Sequence, residues 1–406
     1  MTPATPLSPA RITAYLCIAE IGTMLGYATF PTLLPLLQKT WGMNNTEAGV
    51  ISGAYFGGYM LAVPLLTAIT DRIDARRVYM FACALAALGS FGFAFAAQGF
   101  ITAALFQACV GAGLAGTYMP GLKILSDRVH GPTQSRYVSF YTTSFTLGTS
   151  ASFLLPIIAM PTVNWEGVFA ISALGPLLAL IMIWRIAPVP LAPRIAQQAA
   201  LLDFRPVLKN RPAMAYILGY AAHCWELLGS RSWLVAFISF AAATHGGAVA
   251  IAPAVLAAFI NFWGMPASIY CNELAMRHGR QRMILLYMAS SGLMSCVVGF
   301  TATLPTALTV LALCLYTMLV MTDSSSLTAG TVAAADADKR GITLALHATL
   351  GFGAGVISPT VFGWVLDHAG GNTNVTAWSL AYASQGFFCL IAPIVAFFAR
   401  KRWSAA

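Results

Sequence analysis

The sequence predicts an all-α membrane protein in which twelve transmembrane helices form two similar six-helix bundles. The first observation is composition: hydrophobic residues make up 58% of the 406 residues, charged residues only 9%, and the mean hydropathy is +0.75. With so little charge to cover a surface in water, most of the protein must have lipid as its solvent. The other two observations are a series of long apolar runs and a repeat of charged segments half a chain apart.

Twelve apolar runs are long enough to cross a bilayer, since a transmembrane helix needs about 20 residues. We number them as spans 1 to 12 in chain order. They cover residues 12–36, 46–70, 78–98, 100–124, 137–158, 166–187, 212–240, 248–271, 283–303, 306–331, 342–366 and 376–399. An even number of spans predicts that both termini lie on the same side of the membrane.

Two short charge-dense segments occupy corresponding places in the two halves of the chain. The first separates spans 2 and 3, and the second separates spans 8 and 9. Arg72 aligns with Arg277, and Arg77 aligns with Arg282, at a single offset of 205 residues. We therefore predict a tight loop at each place and a chain built from two similar halves.

The stretch between spans 6 and 7 has the composition of a linker, with five prolines between residues 187 and 212. The predicted domains are an N-terminal six-helix bundle (1–187), a cytoplasmic linker (188–211) and a C-terminal six-helix bundle (212–406). Residues 203–211 are predicted to form a short amphipathic helix on the membrane surface.

The first charged loop resembles the loop between the second and third helices of the major facilitator superfamily of secondary transporters, whose pattern is roughly G-x-x-x-D-R-x-G-R-R. Thr67 and Asp74 stand where that pattern has glycine, and Met276 replaces the acid in the second copy. The resemblance implies a gating role, with Asp71 near the start of span 11 and near Arg128 or Arg136. The matching residues, and thus the candidate gating residues, are Asp71, Arg72, Arg76 and Arg77 in the first loop and Arg277 and Arg280, with Gly279 between them, in the second.

The distribution of basic residues predicts the orientation. With the N-terminus inside, 20 of the 22 Lys and Arg residues fall in inside loops and tails; the exceptions are Lys39, outside, and Arg231, within span 7. Basic residues concentrate on the cytoplasmic side of membrane proteins, so both termini are expected in the cytoplasm of a cell whose inner membrane holds the protein. The net charge of +9 is spread over many short loops, which argues against nucleic-acid binding.

Ionisable residues inside the spans are the strongest functional signal, because each costs about 2.5–3.5 kcal/mol at a helix centre. Glu20 lies in span 1 and Glu226 in span 7, 206 residues apart and therefore at nearly equivalent positions. The family resemblance implies that spans 1, 4, 7 and 10 line the transport cavity, and three of these carry an acid. The candidate proton-coupling residues are Glu20, Glu226 and Asp323; the candidate substrate-binding residues are Tyr27, Tyr118, His223, Arg231, Asp323 and Ser324.

A local network is predicted around Glu226. His223 lies one turn away on the same face and can share or orient a proton, and Ser230 can complete the hydrogen bonds. Removal from water makes a carboxyl group hold its proton more tightly, which suits proton coupling. Many proton-coupled members of the superfamily that the chain resembles carry an arginine in span 4; this chain has Gln107 at that place.

Each of these residues also has a structural interpretation. Glu20 or Asp323 could pair with a neighbouring helix solely to fix packing, His223 could simply bond Glu226, and Lys123 could extend its charge to the membrane surface. The run from Gly111 to Gly116 spells G-x-G-x-x-G, but small residues that allow close helix packing explain it better than a nucleotide site. Eight cysteines without a C-x-x-C pair indicate neither disulfides nor zinc, and no cofactor or metal is expected.

These observations predict a secondary transporter that moves a small polar organic solute by alternating access, with proton symport as the preferred mechanism. Arg231 and His223 favour an anionic substrate such as a small carboxylate. A proton-independent anion exchanger or uniporter is the alternative. A membrane receptor or a lipid-modifying enzyme is disfavoured, because the chain shows neither room for an output domain nor a nucleophile–base pair. The expected partners are the substrate, protons and the lipid bilayer, and the expected state is a monomer.

Overall fold

The computed structural model describes residues 7–70, 72–130, 134–189, 203–244, 251–336 and 339–403, except for the side chains of residues 135 and 393–403. These residues form helices and no strand, and twelve helical spans have the length and hydropathy to cross a membrane. The spans are Pro9–Trp41, Asn45–Ile69, Ala75–Ala96, Phe100–Ser126, Arg136–Ala159, Trp165–Trp184, Arg211–Thr244, Pro253–His278, Arg280–Thr303, Thr306–Ala334, Arg340–His368 and Val375–Ala392. The predicted fold class of twelve transmembrane helices is confirmed.

Spans 1, 4 and 10 are interrupted in mid-course. Span 1 consists of Pro9–Thr23, a 3₁₀ turn and Thr29–Trp41; span 4 of Phe100–Ala115 and Tyr118–Ser126; span 10 of Thr306–Met321 and Ser324–Ala334. Thr117 and Thr322 lie at the last two breaks and are separated by the same 205 residues that relate the charged loops. Span 7 is one continuous helix, Arg211–Thr244.

The second charged loop is shorter than predicted. Span 8 continues through His278, span 9 begins at Arg280, and Gly279 alone connects them. Its φ of +95° lies in the region that glycine adopts without strain, so one residue suffices for the reversal. The first loop is longer: span 2 ends at Ile69, and Asp74 caps the start of span 3 by accepting a hydrogen bond from the Arg76 backbone N–H.

The predicted surface helix in the linker is present as a single turn and a half, Arg205–Lys209. Residues 190–202 of the linker lie outside the described residues.

Contacts within the chain group it into two compact units. The first comprises Met1–Phe30 and Ala54–Asp203, and the second comprises Pro31–Gly53 and Phe204–Ala406. The second part of span 1 and the first two turns of span 2 are thus grouped with spans 7 to 12. The division into 1–187 and 212–406 stays a prediction.

Each unit has its own core. In the first unit, apolar residues of spans 1, 3, 4, 5 and 6 pack together, among them Leu16, Tyr79 and Tyr141. In the second unit, aromatic rings of spans 7, 11 and 12 form a cluster in which Trp233 stacks on Phe362 with ring centres 5.4 Å apart. Both cores lie where the first span of a half meets its neighbours.

Glycine permits close contact between spans 2 and 4 in the first unit. A Cβ atom at Gly111 would overlap the carbonyl oxygen of Tyr55, and one at Gly113 would overlap Ala86 of span 3. The interpretation of the Gly111–Gly116 run as a packing surface is therefore confirmed.

Large apolar side chains cover the outward faces of the spans. Leu61, Leu88 and Phe95 are 69%, 66% and 77% exposed. Such exposure over all sides would be costly in water and suits contact with lipid chains. The chain is a multi-pass membrane protein.

Candidate functional site

Glu20 is fully buried in the first unit, on the first part of span 1. Its Oε2 atom accepts hydrogen bonds from the hydroxyl groups of Tyr79 on span 3, at 3.3 Å, and Tyr141 on span 5, at 3.0 Å. Its Oε1 atom has no hydrogen-bond partner among the described residues. The carboxyl group therefore sits between hydroxyl groups rather than against a basic side chain.

The Tyr141 hydroxyl also reaches the break in span 4. Its oxygen lies 3.1 Å from the Tyr118 carbonyl oxygen and 3.3 Å from that of Thr117. A phenol has one hydrogen to donate, so Tyr141 donates either to Glu20 or to the interrupted backbone of span 4. The predicted site residue Tyr118 contributes its carbonyl group, and its ring stacks on Tyr141 at 5.8 Å.

Glu226 occupies the matching place in the second unit and is 1% exposed. Its Oε2 atom accepts a hydrogen bond from the Ser291 hydroxyl on span 9 at 2.7 Å. The same hydroxyl lies 3.1 Å from the Met288 carbonyl oxygen, so it too has two acceptors for one hydrogen. In both units, the buried glutamate on the first span takes a hydroxyl donor from the third span of its half.

His223 faces Asp323 at the break in span 10. Nδ1 of His223 lies 2.7 Å from Oδ1 of Asp323, within ion-pair distance, although the two atoms do not meet hydrogen-bond geometry. Both side chains are almost completely buried. Glu226 is within electrostatic reach of both residues, so span 7 brings three titratable groups together.

The predicted network around Glu226 is wrong in its partners. Ser230 donates to the backbone carbonyl groups of Glu226 and Leu227 instead of the carboxylate. His223 has Asp323, on another helix, as its close partner. Positions one turn apart on a helix share a face, but which side chain each one meets depends on the helix packed against that face.

An aromatic stack extends this cluster and was not predicted. The ring of Tyr220 lies 3.8 Å from the ring of His347 and 5.7 Å from that of His223, nearly parallel to both. His347 is buried, and its Nδ1 atom lies 3.1 Å from the Thr331 hydroxyl. The signal in the sequence was the three-residue spacing of Tyr220 and His223 on one helix face; the place of His347 follows only from the fold.

The other predicted substrate-binding residues are dispersed. Tyr27 follows the 3₁₀ turn of span 1 and packs edge-on against Tyr55 with ring centres 5.6 Å apart. Ser324 begins the second part of span 10, next to Asp323. Arg231 lines a separate pocket in the second unit.

The described residues of the first charged loop form a network that was not predicted. Arg128 contacts Asp74 at 3.4 Å and donates to the Ala187 carbonyl group at the end of span 6. Arg76 donates to the carbonyl groups of Ile183 and Trp184. The acid that meets Arg128 in this structure is thus Asp74, at a position where the family pattern has glycine.

The remaining candidate gating residues lie on the surface or outside the described residues. Arg72, Arg77 and Arg277 are exposed, and Arg280 is half-buried at the start of span 9. Asp71 lies outside the described part of the chain, so its contacts with span 11 stay a prediction.

Solved transporter structures share the fold. A bacterial homolog to the human lysosomal transporter Spinster, inward-facing and unoccupied, superposes with a TM-score of 0.74 at 15% identity, over 98% of this chain and 96% of its own. A POT family transporter in complex with 5-aminolevulinic acid superposes with a TM-score of 0.74 at 12% identity, over 95% of each chain. At such identities the likeness concerns the fold alone.

Two curated relatives are similar in sequence. An uncharacterized MFS-type transporter of Bacillus subtilis is 25% identical over 193 residues, which are 46% of this chain and 48% of the relative. The voltage-gated purine nucleotide uniporter of Rattus norvegicus is 27% identical over 167 residues, which are 37% of this chain and 36% of the relative. The chain thus spans about half the length of the first relative and about a third of the second in these matches.

The family itself is established by a match over most of the chain. The sequence profile of the Major Facilitator Superfamily matches residues 16–355, from the first span into the eleventh. This agrees with the twelve helical spans, with the repeat at 205 residues and with the structural likeness to transporters. The chain belongs to the major facilitator superfamily of membrane transporters.

Proposed function

We propose that this transporter moves a small polar organic solute by alternating access and couples that movement to protons. One observation carries the proposal: in each unit a titratable group on the first span contacts, directly or through one hydroxyl, the break in the fourth span. Glu20 reaches the break at Thr117 through Tyr141, and His223 contacts Asp323 at the break after Thr322.

Burial supports protonation as the event that is coupled. An isolated carboxylate in an apolar interior is costly, and the group becomes neutral by taking up a proton unless a cation or water compensates it. The side-chain groups bonded to Glu20 in the described structure are two phenols, which stabilise a carboxylate less than a basic residue does. When the cavity around such a group opens to water, hydration stabilises the carboxylate and the proton can leave.

Tyr141 provides a link between that proton and the backbone. With Glu20 ionised, the carboxylate is the stronger acceptor and takes the Tyr141 hydrogen. With Glu20 protonated, the carboxyl group has its own hydrogen to donate, and Tyr141 can turn its hydrogen to the carbonyl groups of Thr117 and Tyr118. Protonation therefore changes the hydrogen bonding of the break in span 4, a place where the helix has unpaired backbone groups.

Glu226→Gln tests the coupling. The amide keeps the size of the side chain and an oxygen for Ser291 but cannot titrate. We expect the variant to lose accumulation driven by an imposed pH gradient while still exchanging substrate across the membrane; Glu20→Gln is expected to lose less. The measurement is uptake into proteoliposomes of the metabolite that most stabilises the purified protein in a thermal-shift screen, with and without the gradient, beside counterflow of the labelled compound.

Glu273→Gln, at an exposed position near the end of span 8, is the matched control and should behave as the wild type. Wild-type uptake that is indifferent to the pH gradient would contradict proton coupling. The alternative is then a proton-independent uniporter or exchanger, which the name of the rat relative as a uniporter supports.

A further inference from the structure

A pocket in the second unit adjoins the cluster of His223, Glu226 and Asp323, although none of these three residues lines it. It has a volume of about 300 Å³, counted with the open space at its mouth, and residues of spans 7, 8, 10 and 12 line it. The polar lining residues are Ser230, Arg231, Asn261, Tyr316, Thr317 and Tyr382.

Two phenol groups point to a missing acceptor in this pocket. Tyr316 and Tyr382 are 2% and 0% exposed. Among the described residues, the Tyr382 hydroxyl has no hydrogen-bond partner, and the Tyr316 hydroxyl has only the nearby Ser230 hydroxyl, which does not meet hydrogen-bond geometry. A buried hydroxyl group without a full set of hydrogen bonds is destabilising, so two of them beside one pocket favour a ligand that accepts their hydrogens.

The packing around Tyr382 holds its hydroxyl in place. Its ring contacts Phe237 at 4.9 Å and Phe362 at 5.1 Å between ring centres, both edge-on, and meets Tyr316 at 5.8 Å. A ring fixed on three sides keeps the position of its hydroxyl oxygen, while the hydrogen can turn toward an acceptor. The two tyrosines are therefore a preorganised pair of donors.

Arg231 supplies the charge. It is the one basic residue among the described residues that line the pocket, and no acidic residue lines it. It lies five positions after Glu226 in the sequence, which places it about 7–8 Å further along the helix axis. A guanidinium group and two phenols together favour an anion with oxygen acceptors, and a planar carboxylate matches the guanidinium best.

The rest of the lining selects the body of the ligand. Leu227, Leu234, Leu313 and Val320 form apolar walls. One positive charge matches one negative charge, and apolar walls favour a hydrocarbon body over a second polar group.

We propose that this pocket binds the carboxylate of a small monocarboxylic acid with an apolar body, held by Arg231, Tyr316 and Tyr382. This inference rests on the proposed transport function, to which it adds the substrate class. It also gives the three residues a common role that their separate positions in the sequence do not indicate.

Binding to the purified full-length protein tests the inference without requiring transport. The probes are butanoate, its uncharged counterpart butanamide, and inorganic phosphate, each titrated by calorimetry and by thermal shift. We expect saturable binding of butanoate, about 10-fold weaker or undetectable binding of butanamide, and weaker binding of phosphate. Tighter binding of phosphate than of butanoate would overturn the carboxylate assignment.

Two variants separate recognition from stability. Arg231→Lys keeps the charge but loses the forked geometry, and we expect about 10- to 100-fold weaker butanoate binding. Tyr382→Phe removes a hydroxyl that has no partner in the described structure, so the melting temperature should hold or rise while butanoate binding weakens about 3- to 10-fold. Arg11→Lys and Tyr270→Phe, both at exposed positions, are the matched controls.

Absence of saturable butanoate binding by folded wild-type protein would overturn the inference, as would unchanged affinity in both variants. These outcomes are distinct from a failure of the proposed function. If only the inference fails, the protein will take up another solute in response to the pH gradient but will not bind butanoate. If only the proposed coupling fails, the protein will bind butanoate but its uptake will not respond to the pH gradient.

Discussion

At the scale of single residues, the Tyr141 hydroxyl lies within hydrogen-bond distance of three acceptors. Tyr141→Phe keeps the ring that stacks on Tyr118 but removes the donor to Glu20 and to the break in span 4. We expect the free energy of unfolding to fall by about 1–3 kcal/mol, because buried acceptors lose their partner. Thermal unfolding of the purified variant measures this, with Tyr15→Phe, at a half-buried position of the same unit, as the control.

The pH dependence of the loss of stability in Tyr141→Phe tests whether Tyr141 responds to the protonation of Glu20. If Tyr141 stabilises the ionised form of Glu20, the loss should be larger at high pH, where the carboxylate prevails, than at low pH, where the carboxyl group carries its own hydrogen. An equal loss at all pH values would contradict the hydrogen switch while leaving the structural role of Tyr141.

Residue types predicted the acids of the site but not their partners. Glu20, Glu226 and Asp323 could be selected from the sequence because a charge within an apolar run is costly and stands out. Tyr79, Tyr141 and Ser291 could not, because tyrosine and serine are ordinary in such runs and this chain has 14 tyrosines. Which of them meets an acid depends on the rotation of each helix about its axis, and the apolar periodicity of a helix surrounded by lipid and protein does not define that rotation.

At the scale of helices, the start of span 2 depends on the end of span 11. The Asp367 carboxylate accepts four hydrogen bonds: from the backbone N–H and side-chain amide of Asn45 at 3.1 and 2.8 Å, and from the backbone N–H and hydroxyl of Thr46 at 2.8 and 2.6 Å. An anion at a helix N-terminus is stabilised by the unpaired N–H groups and by the helix dipole. The contact joins two helices within the second unit.

The Asp367→Asn variant measures how much this contact contributes to the free energy of unfolding. The amide keeps one acceptor oxygen but loses the charge and one pair of acceptor positions, so we expect the free energy of unfolding to fall by about 1–3 kcal/mol. Asp336→Asn, which removes an exposed pairing with Lys339, is the control and should change it by less than about 1 kcal/mol. A loss no greater than that of the control would show that the four bonds contribute little.

The breaks in spans 1, 4 and 10 could not be predicted from the sequence patterns. Their apolar runs are continuous, and Thr117 and Thr322 are no stronger helix breakers than threonines in unbroken spans. Prolines, by contrast, stand inside helices that continue past them, as Pro64 does in span 2 and Pro266 in span 8. In a membrane, neighbouring helices and side-chain hydroxyls can satisfy or free backbone groups, so tertiary contacts decide where a span breaks.

At the scale of the whole molecule, the repeat was the most informative feature of the sequence. The offset of 205 residues relates the charged loops, and it also relates the breaks at Thr117 and Thr322, which were not part of the prediction. The repeated halves keep their architecture while the chemistry differs: a phenol carries the contact with the break in one, and an imidazole does so in the other. Composition and length alone predicted the spans, whereas this division of chemistry required the fold.

The orientation of the chain is a prediction for the whole molecule. It places both termini in the cytoplasm, because that arrangement puts 20 of the 22 basic residues inside, where a membrane protein concentrates them. A fluorescent protein that matures only in the cytoplasm, fused after Ala406, is expected to fluoresce. Alkaline phosphatase, which is active only outside the cytoplasm, should be active when fused after Asn164 between spans 5 and 6 and inactive when fused after His130 between spans 4 and 5. The reverse pattern of activity would contradict the orientation and would place the Asp74–Arg128 network on the outer surface.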